Sequence, residues 1–326
     1  MKVAILGAGA YGLALANTLT DNDNNVTVNI WTKVKQEYEL LSNEGANEKV
    51  LPGFRLNEKM QLCENMADAI NDAEIIFVVV ASKYLMNTLD EIKRYYNKKQ
   101  VICIASKGVL QEKLFFMSKI FSKKLNTKKI VILSGGTFAK DMLIKEPMGL
   151  MIGTKDKSSG VLTKKSLENE YLKAVISRDT IGIEICGAFK NIFAISLGMI
   201  EGLQYNESTK CMFVTKAINE LGQMISFFGG DENTILSYAG IGDLWLTGSS
   251  TNSRNYTLGL MIGKRLNQQE IKQYISNNTI EGLDSLVAIY RILESIKCKS
   301  KFISCLYNII YNNGSLEALK KYLIDN

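Results

Sequence analysis

Short apolar runs recur along the first half of the chain, separated by mixed segments. Lys2–Leu6 (KVAIL) is the first run. Residues 12–20 then carry helical spacing, Asn24-Asn25 mark a turn, and residues 26–31 form a second strand. Residues 75–80 (IIFVVV), 101–105 (VICIA) and 130–133 (IVIL) repeat the pattern, and residues 148–152 add a further strand. Continuous runs of this length, rich in β-branched residues, suit strands buried on both faces. The segments between them, such as 84–96 and 113–124, read as helices. Strands alternating with helices predict a parallel sheet covered on both sides.

The texture changes after about Arg178. Strand-like runs nearly vanish, and residues 183–203, 208–228, 233–238, 253–266, 268–276, 283–295 and 315–324 read as helices. Residues 181–200 come nearest to a membrane span, but Glu184, Lys190 and Asn191 interrupt them, which argues against one. The apolar opening up to Ala16 has the composition of an export signal. Its three glycines fit a strand, a tight turn and a helix better, so no signal is read there.

That turn is Gly7-Ala8-Gly9-Ala10-Tyr11-Gly12. G-x-G-x-x-G spacing after a strand and before a helix, with a second strand following, is the context of dinucleotide binding. Gly7 permits the tight turn, Gly9 lets the backbone approach a pyrophosphate, and Gly12 lets helix and strand pack closely. The anion rests on the positive helix N-terminus, with Ala10 and Tyr11 beside it. The organisation expected is therefore an α/β N-terminal Rossmann-like doubly wound domain, residues 1–178, followed by an all-α C-terminal domain, residues 179–326. At the end of the second strand stand Thr32, Lys33, Val34 and Lys35, with no carboxylate for a ribose 2′-hydroxyl. Lys33 either pairs with a 2′-phosphate or is an ordinary solvated lysine; the first reading favours tolerance of NADP(H). The cofactor expected is NAD(H) or NADP(H).

Composition narrows the chemistry. Hydrophobic residues make up 46% and charged residues 22%, the balance of a soluble globular protein. The net charge is +6, but the Lys-Lys pairs at 98–99, 123–124, 128–129, 164–165 and 320–321 are scattered and form no patch interleaved with aromatics. No nucleic-acid partner is expected. The six cysteines form no C-x-x-C pair, which suits free thiols in a reducing cytoplasm. Histidine is absent, so the commonest metal ligand and the commonest general base are both missing. Acid–base work falls to Lys, Asp, Glu, Tyr or Cys, and no metal is expected.

Several polar residues stand where a ligand could meet them. Lys107 follows 101–105 at the C-terminal edge of the sheet, either to orient an anionic or carbonyl ligand or as a surface lysine. Residues 134–139 follow another strand, either to bring backbone N–H groups to a ligand through their glycines or as a plain strand-to-helix turn. Lys190 lies midway along an otherwise apolar helix, next to Asn191; it either snorkels to solvent or is held in a pocket. Asp243 opens a helix, as an N-cap or as a site carboxylate, with Thr247 one turn on. Ser253-Arg254-Asn255 starts another helix, as a phosphate receptor or as a cap with a surface arginine.

Six ordered blocks carry a family resemblance: Gly7 to Gly12; Ala105-Ser106-Lys107-Gly108; Ser134-Gly135-Gly136-Thr137-Phe138-Ala139; Gly187-Ala188-Phe189-Lys190-Asn191; Gly240-Ile241-Gly242-Asp243-Leu244; and Ser253-Arg254-Asn255. Leu51-Pro52-Gly53 and Glu281-Gly282 are shorter echoes. Over nearly its whole length the chain resembles NAD(P)-dependent glycerol-3-phosphate dehydrogenase of the bacterial type. The resemblance implies interconversion of dihydroxyacetone phosphate and sn-glycerol 3-phosphate, supplying phospholipid synthesis. It implies Lys190 as the proton-transferring group, with Lys107 and Asp243 as the other catalytic residues. Substrate contacts fall to Lys107, Gly135, Thr137, Lys190, Asn191, Asp243, Thr247, Ser253, Arg254 and Asn255. Cofactor contacts fall to Gly7, Gly9, Ala10, Tyr11, Gly12, Lys33, Lys107, Ala139, Arg254, Thr279 and Glu281. Two positions depart from the family pattern: Gly136 replaces its usual Pro and Thr279 its frequent Val.

Two other functions compete with this one. A related two-domain dehydrogenase or reductase of another small hydroxy acid or of 6-phosphogluconate would not need the Gly-Ala-Phe-Lys-Asn and Ser-Arg-Asn blocks together. A non-catalytic dinucleotide sensor would not need Lys190, Asp243 and Arg254. The expected setting is cytoplasmic, with a small phosphate substrate, no integral membrane anchoring and a homodimer as the candidate assembly.

Overall fold

The computed structural model describes residues 1–22, 25–107 and 116–325. Asn24 of the predicted turn, Gly108 of the second motif block and the first three residues of the helix expected at 113–124 lie outside the described residues. The chain clusters into two compact units, one of Met1–Lys107 with Phe116–Thr180, the other containing Ile181–Asn326.

In the first unit the described strands are β1 (Lys2–Leu6), β2 (Thr27–Trp31), β3 (Met60–Cys63), β4 (Ile75–Val78), β5 (Val101–Ile104), β6 (Ile130–Ser134), β7 (Met148–Gly153) and β8 (Leu172–Ser177). The helices between them are α1 (Ala10–Thr20), α2 (Lys35–Glu44), α3 (Met66–Ile70), α4 (Leu85–Tyr95), α5 (Met117–Leu125), α6 (Ala139–Leu143) and α7 (Lys157–Leu167). The strands form one sheet in the order β3-β2-β1-β4-β5-β6-β7-β8. The apolar runs are buried on both faces: β4, β5 and β6 have no exposed position. The sheet is parallel except between β6 and β7, which run antiparallel. The all-parallel expectation fails there because a strand's direction depends on its connection, not on its apolar content. β3 and β8 were not anticipated; both mix buried with exposed positions, so no continuous run announces them.

The chain order reverses at β1, which lies between β2 and β4. Leu6 pairs with Trp31 on one side and Val78 on the other, so β1 ends level with both neighbours. The turn that follows β1 therefore opens at the switch point, where doubly wound sheets bind ligands.

The described helices of the second unit, with the first turn of one drawn from Thr180, are α8 (Thr180–Gly202), α9 (Glu207–Phe227), α10 (Asp243–Gly248), α11 (Arg254–Gly263), α12 (Gln268–Asn277), α13 (Glu281–Ser295), α14 (Lys301–Tyr311) and α15 (Glu317–Ile324). α8 is long and apolar enough to cross a membrane, yet 89% of its most apolar window is buried inside the protein. It is the core helix. Phe189 and Phe193 on α8 join Phe213, Phe302 and Tyr322 in a chain of ring contacts with centroids 5.2–5.7 Å apart. The helix expected at 233–238 is instead a 3₁₀ turn, Glu232–Leu236, followed by an irregular wide turn, Tyr238–Gly242. Gly240 at its kink could not carry a side chain, because an added Cβ would lie 2.1 Å from the Ile235 carbonyl oxygen. α14 went unread in the sequence.

Glycines set the spacing between α8 and α11. A Cβ on Gly198 would sit 2.2 Å from the Tyr256 carbonyl oxygen, and one on Gly259 would sit 1.9 Å from that of Ile195. Gly202 and Gly263 repeat this one turn on, against Leu260 and Met199. The two backbones touch, and the start of α11 is held close to the middle of α8.

Candidate active site

The glycine turn has the geometry its spacing predicts. Gly7 has φ +121°, which residues with side chains rarely adopt, and its N–H donates to the Trp31 carbonyl oxygen at 2.8 Å. A Cβ on Gly12 would lie 2.0 Å from the Gly7 carbonyl oxygen, so only glycine lets α1 begin so near β1. At Gly9, the N-cap of α1, an added Cβ would meet nothing within 4 Å. The turn is closed towards the sheet and open at Gly9, as a backbone cradle for a pyrophosphate needs. Ala10 and Tyr11 form the first turn of α1, and the Tyr11 hydroxyl lies 3.3 Å from Thr137 Oγ1.

The loop after β6 meets the one after β5. Lys107 Nζ donates to the Gly135 carbonyl oxygen at 3.2 Å, and the Thr137 N–H donates to that same oxygen at 3.1 Å. A Cβ on Gly135 would come 2.6 Å from the Gly149 carbonyl oxygen, so this glycine marks a close backbone approach. Gly136 does not take a positive φ. Ala139 opens α6.

The end of β2 carries a residue that its sequence reading did not name. Lys33 is 75% exposed at its side chain and lies 3.7 Å from Glu91 on α4. Thr32 is buried, and its Oγ1 donates to Glu37 Oε2 at 2.6 Å. A carboxylate thus stands at the strand end after all. Sequence order hides it, because it lies five residues past Thr32, in the first turn of α2. An acidic residue in the first turn of the helix after β2 was the available signal.

In the helical unit, six of the expected residues come together. Lys190 Nζ donates to Asp243 Oδ1 at 2.7 Å, with side-chain exposures of 13% and 2%. Lys190 is mostly buried against Asp243. Thr247 Oγ1 donates to the same Asp243 oxygen at 3.2 Å, as the one-turn spacing foretold. Gly242, not Asp243, stands at the N-cap position of α10, and the Asp243 carboxylate accepts from the lysine. A carboxylate at that distance orients the ammonium, and the pair can meet a ligand oxygen on which negative charge develops.

Asn191, next on α8, links two other helices. Its Oδ1 accepts from Asn255 Nδ2 at 2.9 Å, and its Nδ2 donates to Glu281 Oε2 at 3.3 Å. Asn255 Oδ1 accepts from the Gly282 N–H at 2.9 Å. Gly282 must be glycine, since a Cβ there would lie 2.7 Å from Asn255 Oδ1 and 2.8 Å from the Asn191 carbonyl oxygen. Ser253 caps α11, its Oγ accepting from the Tyr256 N–H at 3.3 Å. Arg254 is exposed at the first position of α11, and its guanidinium has no ion-pair partner among the described residues. Thr279 is exposed and stands outside this network. Among the described residues no group of three or more His, Cys, Asp or Glu gathers to hold a metal.

A buried ammonium–carboxylate pair, with an exposed arginine at the start of another helix of the same unit, suits a substrate with a carbonyl or hydroxyl at one end and an anion at the other. Comparison with known proteins agrees with that chemistry. The family described as NAD-dependent glycerol-3-phosphate dehydrogenase, N-terminus, matches residues 2–160, and its C-terminus counterpart matches residues 179–321. Glycerol-3-phosphate dehydrogenase [NAD(P)+] of Leuconostoc citreum is 30% identical, over 97% of this chain and 94% of that protein. The structure of Plasmodium falciparum glycerol-3-phosphate dehydrogenase superposes with a TM-score of 0.90 at 25% identity, covering 100% of this chain and 96% of that one. The Coxiella burnetii enzyme shares the fold with a TM-score of 0.92 at 24% identity, covering 99% of this chain and 98% of that one. With both halves matched in order and the length covered almost end to end, the chain belongs to the NAD-dependent glycerol-3-phosphate dehydrogenase family.

Proposed function

We propose that this chain interconverts dihydroxyacetone phosphate and sn-glycerol 3-phosphate, with NAD(H) or NADP(H), and so supplies glycerol 3-phosphate for phospholipid synthesis. The observation that carries the reading is the buried Lys190–Asp243 pair, 2.7 Å apart, on a chain without histidine. The glycine turn at Gly7 to Gly12 holds the dinucleotide, which supplies or accepts the hydride when bound. Lys190 gives its proton to the carbonyl oxygen during reduction and takes one from the hydroxyl during oxidation. Asp243 keeps Lys190 charged and aimed, and Thr247 fixes the carboxylate. Arg254 and the N-terminal amides of α11 receive the phosphate, so that a non-reacting group aligns the reacting carbon. Ser253 and Asn255 hold that helix start in place, and Asn191 with Glu281 completes the frame. From the first unit, Lys107, Gly135, Thr137 and Ala139 are assigned to ligand contact.

The test is substrate-dependent loss of NADH or NADPH absorbance. Lys190→Ala should lower kcat at least a hundredfold, within the range of about 10²–10⁴ for general acid–base groups, while dinucleotide binding persists. Wild type with no oxidation by dihydroxyacetone phosphate would refute the reading, and full activity in Lys190→Ala would refute the proton-transfer role. The free cysteines support a cytoplasmic location. A homodimer is the assembly carried with this reading, and light scattering measures it.

A further inference from the structure

The structure assigns cofactor choice to Glu37: we propose that its carboxylate selects NAD(H) over NADP(H). This rests on the dinucleotide reading of the glycine turn. Thr32 is the first residue after β2, and its hydroxyl donates to Glu37 Oε2 at 2.6 Å while accepting from the Val34 N–H at 3.2 Å. The carboxylate sits in the first turn of α2, where the helix dipole favours an anion. Its other oxygen, Oε1, has no hydrogen-bond partner among the described residues and is free to accept. Both nearby lysines turn elsewhere: Lys33 to Glu91 at 3.7 Å and Lys35 to Glu39 at 3.6 Å.

At the C-terminal end of the second strand of a dinucleotide fold, a carboxylate accepts hydrogen bonds from the ribose hydroxyls. The same charge repels a 2′-phosphate dianion. Sequence order alone placed Lys33 there and favoured the phosphate. The fold brings the opposite charge to the strand end.

The experiment measures dissociation constants for NADH and NADPH by fluorescence titration, in wild type, Glu37→Gln and Lys33→Ala, alongside kcat/KM for each cofactor. Glutamine keeps the shape and removes only the charge, and thermal unfolding checks that each variant is folded. Wild type should bind NADH at least tenfold more tightly than NADPH, and Glu37→Gln should shrink that ratio at least tenfold. A wild type that binds NADPH as tightly as NADH overturns the proposal. So does a ratio unchanged in Glu37→Gln, or one that follows Lys33→Ala instead. Binding of neither dinucleotide would defeat the underlying assignment of the glycine turn, a different failure from either of these.

Discussion

Two side chains show how much a single residue does here. Asn255 stood in the sequence as a phosphate ligand, yet its amide joins α8, α11 and the start of α13. Asn255→Ala would leave the Gly282 N–H and Asn191 Oδ1 without their partner. At about 1–3 kcal/mol for each buried unsatisfied group, the cost should be about 3 kcal/mol in urea unfolding. A pure ligand role would instead raise KM and leave the unfolding midpoint unmoved. Tyr171 offers a second reading at this scale. Burial, and then its hydrogen bond to Asp21 at 2.8 Å, push the phenol from an ordinary 10.0 up to about 12. The unfolded chain loses this proton near pH 10 while the folded chain keeps it, so the stability it contributes is present below pH 10 and lost between 10 and 12. Tyr171→Phe should therefore show a shallower fall in urea midpoint from pH 9 to pH 12 than wild type; equal slopes would contradict the assignment.

At the scale of elements, the contact of α8 with α11 fixes the site more than any side chain in it. Their four glycines let Asn191 and Asn255 meet across a backbone-to-backbone crossing. Gly259→Ala would put a methyl group 1.9 Å from the Ile195 carbonyl oxygen, in backbone that cannot swing aside. The expected loss is about 3 kcal/mol, the upper end for overpacking, with activity falling alongside thermal stability. Gly45→Ala is a poor control despite its open surroundings, because its φ of +64° already demands glycine. The periodicity of the sequence revealed α8 and the continuous strands, because full burial leaves unbroken apolar runs. It hid β3 and β8, which mix buried with exposed positions, and the turn at Tyr238–Gly242, which follows no helical or strand period.

For the whole molecule, what could be read in advance depended on whether a residue's partner was near in sequence. The glycine turn, the Asp243–Thr247 pair and the Ser253 cap are local, and spacing exposed them. Lys190 with Asp243 spans 53 positions and Asn191 with Glu281 spans 90, so only the folded chain shows what the lysine and the asparagine face. Glu37 lies between these cases: its partner is five residues away, but the link runs from a strand end into a helix and follows neither period.

α8 is at once the most deeply buried helix segment of its unit and the carrier of Lys190 and Asn191. Such an arrangement leaves the chemistry no separate margin. Lys190, the proposed proton donor, cannot drift while the core stays whole, nor can the core loosen without the lysine losing its carboxylate. Ageing, heat and mild denaturant should thus produce molecules that are either fully competent or silent, so that a sample's specific activity counts its folded molecules.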